Sequence, residues 1–371
     1  MVVNGPRSRP IAFFLPSLNG GGAERIVINL VQGITERGLP VDMVLAAAKG
    51  PLLSQLPRSV RLVDLHASRG LKSIVPLASY LRRERPQVLI SSMNYANLIA
   101  LWAAQLAGRV TPVIVTVHTT LSQSRPQQAR LSPGLWARLL RIFYPWAASV
   151  VAVSRGAADD LARISGLRRE SIEVVYNPVI TRDLMNSAAV APEHPWFAVG
   201  EPPVFLGVGR LTRQKDFPAL IRAFAEVRRS RSCRLIILGD GEDRPALTGL
   251  ADQLGVVQDV ALPGFRDHAA GYMAQSAVFV LSSEWEGLPT VLIEALAVGT
   301  RVVSTDCPSG PREILQDGRL GRLVPVGDVP ALARAMLDAL EGPSCPVPPD
   351  ALTPFTRDAA VDHYLRLIAR A

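Results

Sequence analysis

The sequence predicts an α/β protein built from two Rossmann-like domains, each a doubly wound parallel sheet. Three observations predict it. Apolar runs of strand length alternate with helix-length amphipathic segments from end to end, as parallel strands covered by helices on both faces require. The pattern occurs twice, on either side of a proline-rich stretch without periodicity at residues 177–203. A chain of 371 residues, at roughly 150 per domain, also suffices for two domains that each bury a core.

In the first half the expected strands are residues 11–15, 41–46, 60–65, 88–91, 113–118, 150–153 and 172–176. In the second they are 204–208, 234–238, 257–262, 277–281, 301–304 and 321–324. The expected organisation is an N-terminal domain over 1–180, a linker over 181–203 and a C-terminal domain over 204–350. A last helix over 355–371, set off by the prolines of 343–354, is expected to pack back on the N-terminal domain.

Composition narrows the class. With 48% hydrophobic and 19% charged residues the chain reads as soluble and globular, and no apolar run approaches the roughly 20 residues that cross a bilayer. The short run 11–15 after Arg7 and Arg9 is broken by Pro16 and reads as a strand rather than a signal peptide. Cys233, Cys307 and Cys345 are odd in number and scattered, fitting neither a disulfide framework nor a metal cluster; a cytoplasmic setting is expected. The net charge of +8 is uneven: 22 Lys and Arg face 11 Asp and Glu before residue 195, against 18 and 21 from there on. The basic first half suits an anionic partner such as lipid, although solvated arginine faces would give the same numbers. No RNA-binding aromatic pattern or helix-turn-helix accompanies it, and nucleic acid is not expected as a partner.

The most informative stretch is residues 282–296. A strand leads into a loop holding Glu286, and Pro289 then opens a helix that carries Glu294 and stops at Gly299. The helix start attracts an anion, while a carboxylate one turn inside it accepts hydrogen bonds from hydroxyls. A ligand with phosphate in the middle and hydroxyls at both ends, such as a nucleotide sugar, has that shape. Four further signals sit at expected strand ends. Gly20, Gly21 and Gly22 precede an amphipathic helix over 25–37, where either close ligand approach, with the helix start meeting an anion, or a plain tight turn accounts for them. His118 ends a strand, where open parallel sheets place ligands and where a capping histidine also sits. Arg210 and Lys215 share one loop, close enough to converge on a diphosphate. Gly239–Gly241 and Gly264–Phe265 close two more strands. No Asp-x-Asp or His/Cys cluster offers a metal site, so no metal or other cofactor is expected. Finally, Trp136, Leu139, Leu140, Phe143, Tyr144 and Trp146 interleave with Arg130, Arg138 and Arg141, as in a helix at a membrane interface or, equally, in a packed core.

Together, Gly20 to Arg25, His118, Gly209-Arg210-Leu211 with Lys215, the Asn177-Pro178 pair, and Glu286 eight residues before Glu294 with Gly287-Leu288-Pro289 between them resemble the retaining family 4 glycosyltransferases (glycosyltransferase group 1) of GT-B fold. The resemblance runs in order over nearly the whole chain and implies two domains facing a central cleft. It implies that Arg210 and Lys215 hold the donor diphosphate, that Glu286 contacts the donor sugar, and that the backbone of Gly287, Leu288, Pro289 and Thr290 supports sugar or phosphate. Glu294 would bind the ribose, Gly264, Phe265 and Arg266 would border the base, and His118 would face the sugar. Gly21 and Gly22 would complete the donor site, with Asn94 an acceptor contact. Glu286, His118, Arg210 and Lys215 would thus carry the reaction. Residues 306–313 resemble members that build bacterial surface polysaccharides. The expected function is transfer of a sugar from a UDP-linked donor to a lipid-linked or glycan acceptor at the inner face of the cytoplasmic membrane. A nucleotide-sugar epimerase or hydrolase, or a nucleotide-binding protein without catalysis, are the competing readings.

Overall fold

The computed structural model describes residues 9–67, 70–123, 132–343 and 346–371; Arg7, Arg130 and Cys345 lie outside them. The chain divides into two units, one ending at Pro178 and regaining Thr356–Ala371, the other Val179–Phe355.

The first unit holds β1 (Ile11–Leu15), β2 (Val41–Leu45), β3 (Arg61–Asp64), β4 (Val88–Ser92), β5 (Val113–Val117), β6 (Ser149–Ala152) and β7 (Ile172–Val174). Their order is β3-β2-β1-β4-β5-β6-β7 and the pairings are parallel, with Ile11 opposite both Val41 and Val88. β1, β4 and β5 are buried at every residue, which is why they read as mostly apolar runs rather than as alternation. The helices are α1 (Gly22–Glu36), α2 (Ile74–Glu84), α3 (Asn94–Leu106), α4 (Pro133–Phe143) and α5 (Arg155–Ser165). α1 turns Val27, Leu30, Val31 and Ile34 onto Phe13 and Leu15, the i, i+3, i+4, i+7 spacing of one helix face.

The second unit holds β8 (Val204–Val208), β9 (Arg234–Leu238), β10 (Val260–Gly264), β11 (Val278–Leu281), β12 (Arg301–Thr305) and β13 (Arg322–Val324), parallel in the order β10-β9-β8-β11-β12-β13. Its helices are α6 (Arg182–Ala188), α7 (Phe217–Arg228), α8 (Arg244–Gln253), α9 (Ala269–Gln275), α10 (Thr290–Ala297), α11 (Pro311–Ile314) and α12 (Val329–Glu341). Phe205, Leu220, Phe224, Ile237, Val280 and Met336 form the centre of its core.

Two segments differ from the sequence expectation. Residues 181–203 carry α6, whose first turn is capped by Thr181 accepting from the Leu184 N–H at 3.1 Å. α6 packs on α9, and the segment after it lies so close that a Cβ on Gly271 would fall 2.1 Å from the Val190 carbonyl. The prolines concealed a short helix that belongs to the second unit. The strand expected at 257–262 begins at Val260, because residues 257–259 form a 3-10 turn.

The final helix, α13 (Arg357–Arg370), packs on α1 within the first unit. Gly33 permits the approach, since a Cβ there would lie 2.6 Å from Val361 Cγ2. Val361, Tyr364, Leu367 and Ile368 are buried in the same core cluster as Phe13 and Leu15. Exposed pairs from Arg37 to Asp358 (3.3 Å) and Asp362 (2.9 Å) border the contact; at that exposure they contribute little beside the apolar burial.

Candidate active site

In each sheet the strand order reverses once, between β1 and β4 in the first unit and between β8 and β11 in the second. Neighbouring loops leave in opposite directions at such a point and open a crevice beyond the carboxyl ends of the strands. The sequence-selected residues of the second unit gather there.

The loop after β8 is held flat against its neighbours. Gly209 N–H donates to Leu238 O (3.0 Å), Leu211 N–H to Asp240 O (2.9 Å), and Leu211 is fully buried. Gly239 and Gly241 are required by this contact: a Cβ would lie 1.9 Å from Gly209 O and 2.2 Å from Leu211 O respectively. Residues 213–215 form one 3-10 turn, after which Asp216 caps α7 through Ala219 N–H (3.2 Å).

The loop after β11 is tied to this turn by several side-chain and backbone contacts. Ser282 Oγ donates to Lys215 O (2.7 Å), Glu284 N–H to Gln214 O (2.9 Å), Gln214 Nε2 to Trp285 O (2.9 Å), and Lys215 Nζ meets Glu286 Oε1 at 2.6 Å. Ser283 Oγ also donates to Glu286 Oε1 (2.7 Å), and Gln214 Nε2 reaches its other oxygen at 3.4 Å. The Lys215 and Glu286 side chains are 16% and 8% exposed, so the pair is largely removed from water and depends on these additional donors. Behind them, Thr305 Oγ1 donates to Ser283 O and Ser309 Oγ to Gly287 O, both at 2.7 Å. Gly310, at φ +95°, lets residues 287–289 pass where a Cβ would meet Pro289 Cδ at 2.4 Å. Cys307 is driven up to about 12 by burial and then by the Glu286 carboxylate, and stays a neutral thiol. Pro289 sits at the N-cap of α10 and Glu294 lies half-buried about one turn in.

Arg210 shares the loop of Lys215 but is exposed. The loop after β10 stands two strands away on the same edge. Gly264 adopts φ +88°, Phe265 is 54% exposed, and its N–H donates to Asp240 Oδ2 (3.1 Å), which Arg244 holds at Oδ1 (2.7 Å). Arg266 is exposed beside it.

In the first unit, Gly20 has φ +103° and Gly21 N-caps α1. A Cβ on Gly21 would lie 2.3 Å from Glu24 Oε2: the chain's own carboxylate folds over the helix start that the sequence suggested for an anion. A Cβ on Gly22 would meet nothing within 4 Å among the described residues. Met93 holds φ +80° at the turn from β4 into α3, and the next residue, Asn94, keeps its Oδ1 buried without a hydrogen-bond partner among the described residues. His118 lies just past β5, with Nε2 3.1 Å from Thr116 Oγ1 and Nδ1 buried without such a partner. The Thr116 hydroxyl is within donating distance of Ser91 O (3.0 Å). When its proton is committed there, Nε2–H is the donor and Nδ1 offers a bare lone pair.

Burial lowers the His118 imidazole from 6.5 to about 4. A histidine neutral in the fold but free to charge when unfolded leaves stability untouched above pH 6.5 and removes it progressively as pH falls toward 4, by about 2–3 kcal/mol. His118→Gln is therefore expected to lose less stability than the wild type between pH 6.5 and 4 in denaturant titrations; parallel profiles would contradict a buried neutral ring.

Lys215, Glu286 and residues 287–290 are thus brought together, with Arg210 on the loop of Lys215, Glu294 in the first turns of α10 and residues 264–266 on a loop of the same edge. Asn94, His118, Gly21 and Gly22 lie at strand ends of the other unit. Sequence reasoning did not single out Gln214, Ser283, Thr305 or Ser309, whose hydroxyls and amide hold Glu286 and its loop. The serine pair directly after an apolar strand was the available signal.

Residues 20–183 match the family model described as Glycosyltransferase Family 4, and residues 202–342 that described as Glycosyl transferases group 1. The chain is 29% identical to the lipopolysaccharide core biosynthesis glycosyltransferase LpsE of Rhizobium meliloti, over 94% of this chain and 96% of that one. It is 28% identical to a Campylobacter jejuni N-acetylgalactosaminyltransferase whose name specifies a diphospho-undecaprenol substrate, over 89% and 90%. Among solved structures, Anabaena HepE with UDP-glucose superposes with a TM-score of 0.78 at 19% identity, covering 98% of this chain and all of that one.

Proposed function

The chain belongs to the group 1, family 4 glycosyltransferases and has the GT-B fold, and from that premise we propose that it is a retaining, metal-independent hexosyltransferase with a UDP-linked donor. The acceptor is a lipid-linked or glycan intermediate of bacterial surface polysaccharide, at the inner face of the cytoplasmic membrane. The relatives named for lipopolysaccharide core and diphospho-undecaprenol substrates, and HepE with its UDP-glucose, support this reading. They favour a transferase over an epimerase, a hydrolase or a simple nucleotide binder.

One observation carries the assignment: a largely buried lysine–glutamate pair at the switch point of the second sheet, beside the start of α10. Lys215 and the exposed fork of Arg210 would take the diphosphate, with the α10 terminus adding its dipole. As the anomeric C–O bond breaks, positive charge grows on the sugar and negative charge on the leaving diphosphate, and fixed cations stabilise the second. The acceptor oxygen bonds to the anomeric carbon on the face the diphosphate leaves, and its proton passes to a diphosphate oxygen. Glu286 would orient the sugar and face its developing charge, held by Ser283 and Gln214. Glu294 would accept from ribose hydroxyls, and the Phe265 ring with Arg266 would border the base. Gly21 and Gly22 would complete the donor site; among the described residues nothing lies within 4 Å of where a Gly22 Cβ would be. His118, neutral at physiological pH, would serve as a hydrogen-bonding group for a sugar hydroxyl rather than as an acid, and Asn94 as an acceptor contact.

UDP is expected to raise the melting temperature equally with and without EDTA, since a ligand bound only by the native state stabilises by RT ln(1 + [L]/Kd). A shift abolished by EDTA would overturn metal independence, and no shift in any condition would remove UDP as the donor carrier.

A further inference from the structure

The aromatic and arginine residues of α4 separate into two faces. Trp136, Leu140 and Tyr144 are buried, whereas Leu135 and Ile142 are 44% and 56% exposed, with Arg138 and Arg141 exposed beside them. Residues 135, 138, 139 and 142 follow the i, i+3, i+4, i+7 spacing of a single stripe. The stripe continues into Trp146, 40% exposed, whose ring is fixed edge-on against Phe143 at 4.8 Å, and Phe143 in turn against Trp102 at 5.3 Å. Ordering this tryptophan at the surface needs no further cost in rotamer freedom when it meets a partner. The sequence around the stripe is one-signed: between Glu84 and Asp159 it carries seven arginines and no Asp or Glu. Among the described residues no helix is long and apolar enough to cross a membrane.

We propose that the outward face of α4, with Leu135, Ile142 and Trp146 as apolar anchors and Arg138 and Arg141 as cations, docks on the surface of an anionic phospholipid bilayer. Charge complementarity selects that occupant. A bilayer of acidic headgroups meets no carboxylate on α4 itself, and those of the adjoining α5, Asp159 and Asp160, are paired with Arg169 and Arg163, while the apolar side chains and the indole suit the depth just below the headgroups. The inference deepens the proposed lipid-linked acceptor and rests on it, because a membrane surface is where such an acceptor is presented.

The test is co-sedimentation of the full chain with vesicles of phosphatidylcholine alone and of phosphatidylcholine mixed with phosphatidylglycerol. The wild type is expected to bind the mixed vesicles and to be released by high salt. At about fivefold per arginine near an anionic surface, Arg138→Glu with Arg141→Glu should lower vesicle affinity at least about 25-fold. Ile142→Ser with Trp146→Ser should weaken it at unchanged charge, and Arg334→Glu, at an exposed position of α12, should have little effect. Failure to bind either vesicle, equal binding to both, or undiminished binding by the α4 variants would overturn the proposal. The UDP melting shift, measured on the same variants, reports the nucleotide site separately: it should match the wild type, and its absence in the wild type would count against the donor assignment and not against the docking face.

Discussion

Glu286→Gln is expected to lose at least about a hundredfold in kcat while its UDP-induced melting shift stays equal to or larger than that of the wild type. The amide can still receive hydrogen bonds from Ser283 and Lys215, so the loop keeps its shape. It carries no charge to meet the sugar in the transition state, and as a neutral acceptor it leaves more of the Lys215 charge for the diphosphate. Glu286→Ala adds a second effect. It leaves Lys215, only 16% exposed, without its counter-charge, and breaking such a pair costs about 3 kcal/mol. Activity retained in the glutamine variant would remove Glu286 from the reaction.

Lys215→Ala is expected to weaken UDP binding about 10- to 100-fold, the usual size of a charge-assisted hydrogen bond. It should also destabilise the protein, because the Glu286 carboxylate, 8% exposed, loses its cation. Removing both partners should recover part of that stability, and the coupling measured in a double-mutant cycle gives the strength of the pair. Arg210→Ala should weaken UDP binding without a stability loss, since its side chain is exposed. Calorimetric titration with urea melts on the four variants separates these outcomes. Unchanged affinity in both single variants would place the diphosphate elsewhere.

Much of this fold was legible because both sheets are parallel and buried on both faces. Strands such as Ile11–Leu15, Val204–Val208 and Arg234–Leu238 stand out as short apolar runs and begin and end where the sequence pattern places them. Helix α6 was not legible: it spans seven residues among prolines and depends on its Thr181 cap and on α9 for support, which a local pattern does not display. At the site, Lys215 and Glu286 were each recognisable from their loops. Their direct contact was not, because it depends on β8 and β11 being neighbours in the sheet although they are distant in sequence. The same adjacency hid the support from Ser283 and Gln214. The reading of the Gly20–Gly22 turn as an open anion site was altered by Glu24, whose position over Gly21 follows from the first turn of α1.

Transfer itself is the most direct test. Purified protein is incubated with a panel of UDP-linked hexoses and N-acetylhexosamines labelled in the sugar, with and without a bacterial membrane lipid extract. The account predicts that for one donor the label passes into the lipid or glycan fraction only when the extract is present, with UDP released in equal amount. Release of free labelled sugar at a rate indifferent to the extract would contradict it and identify a hydrolase on the same fold.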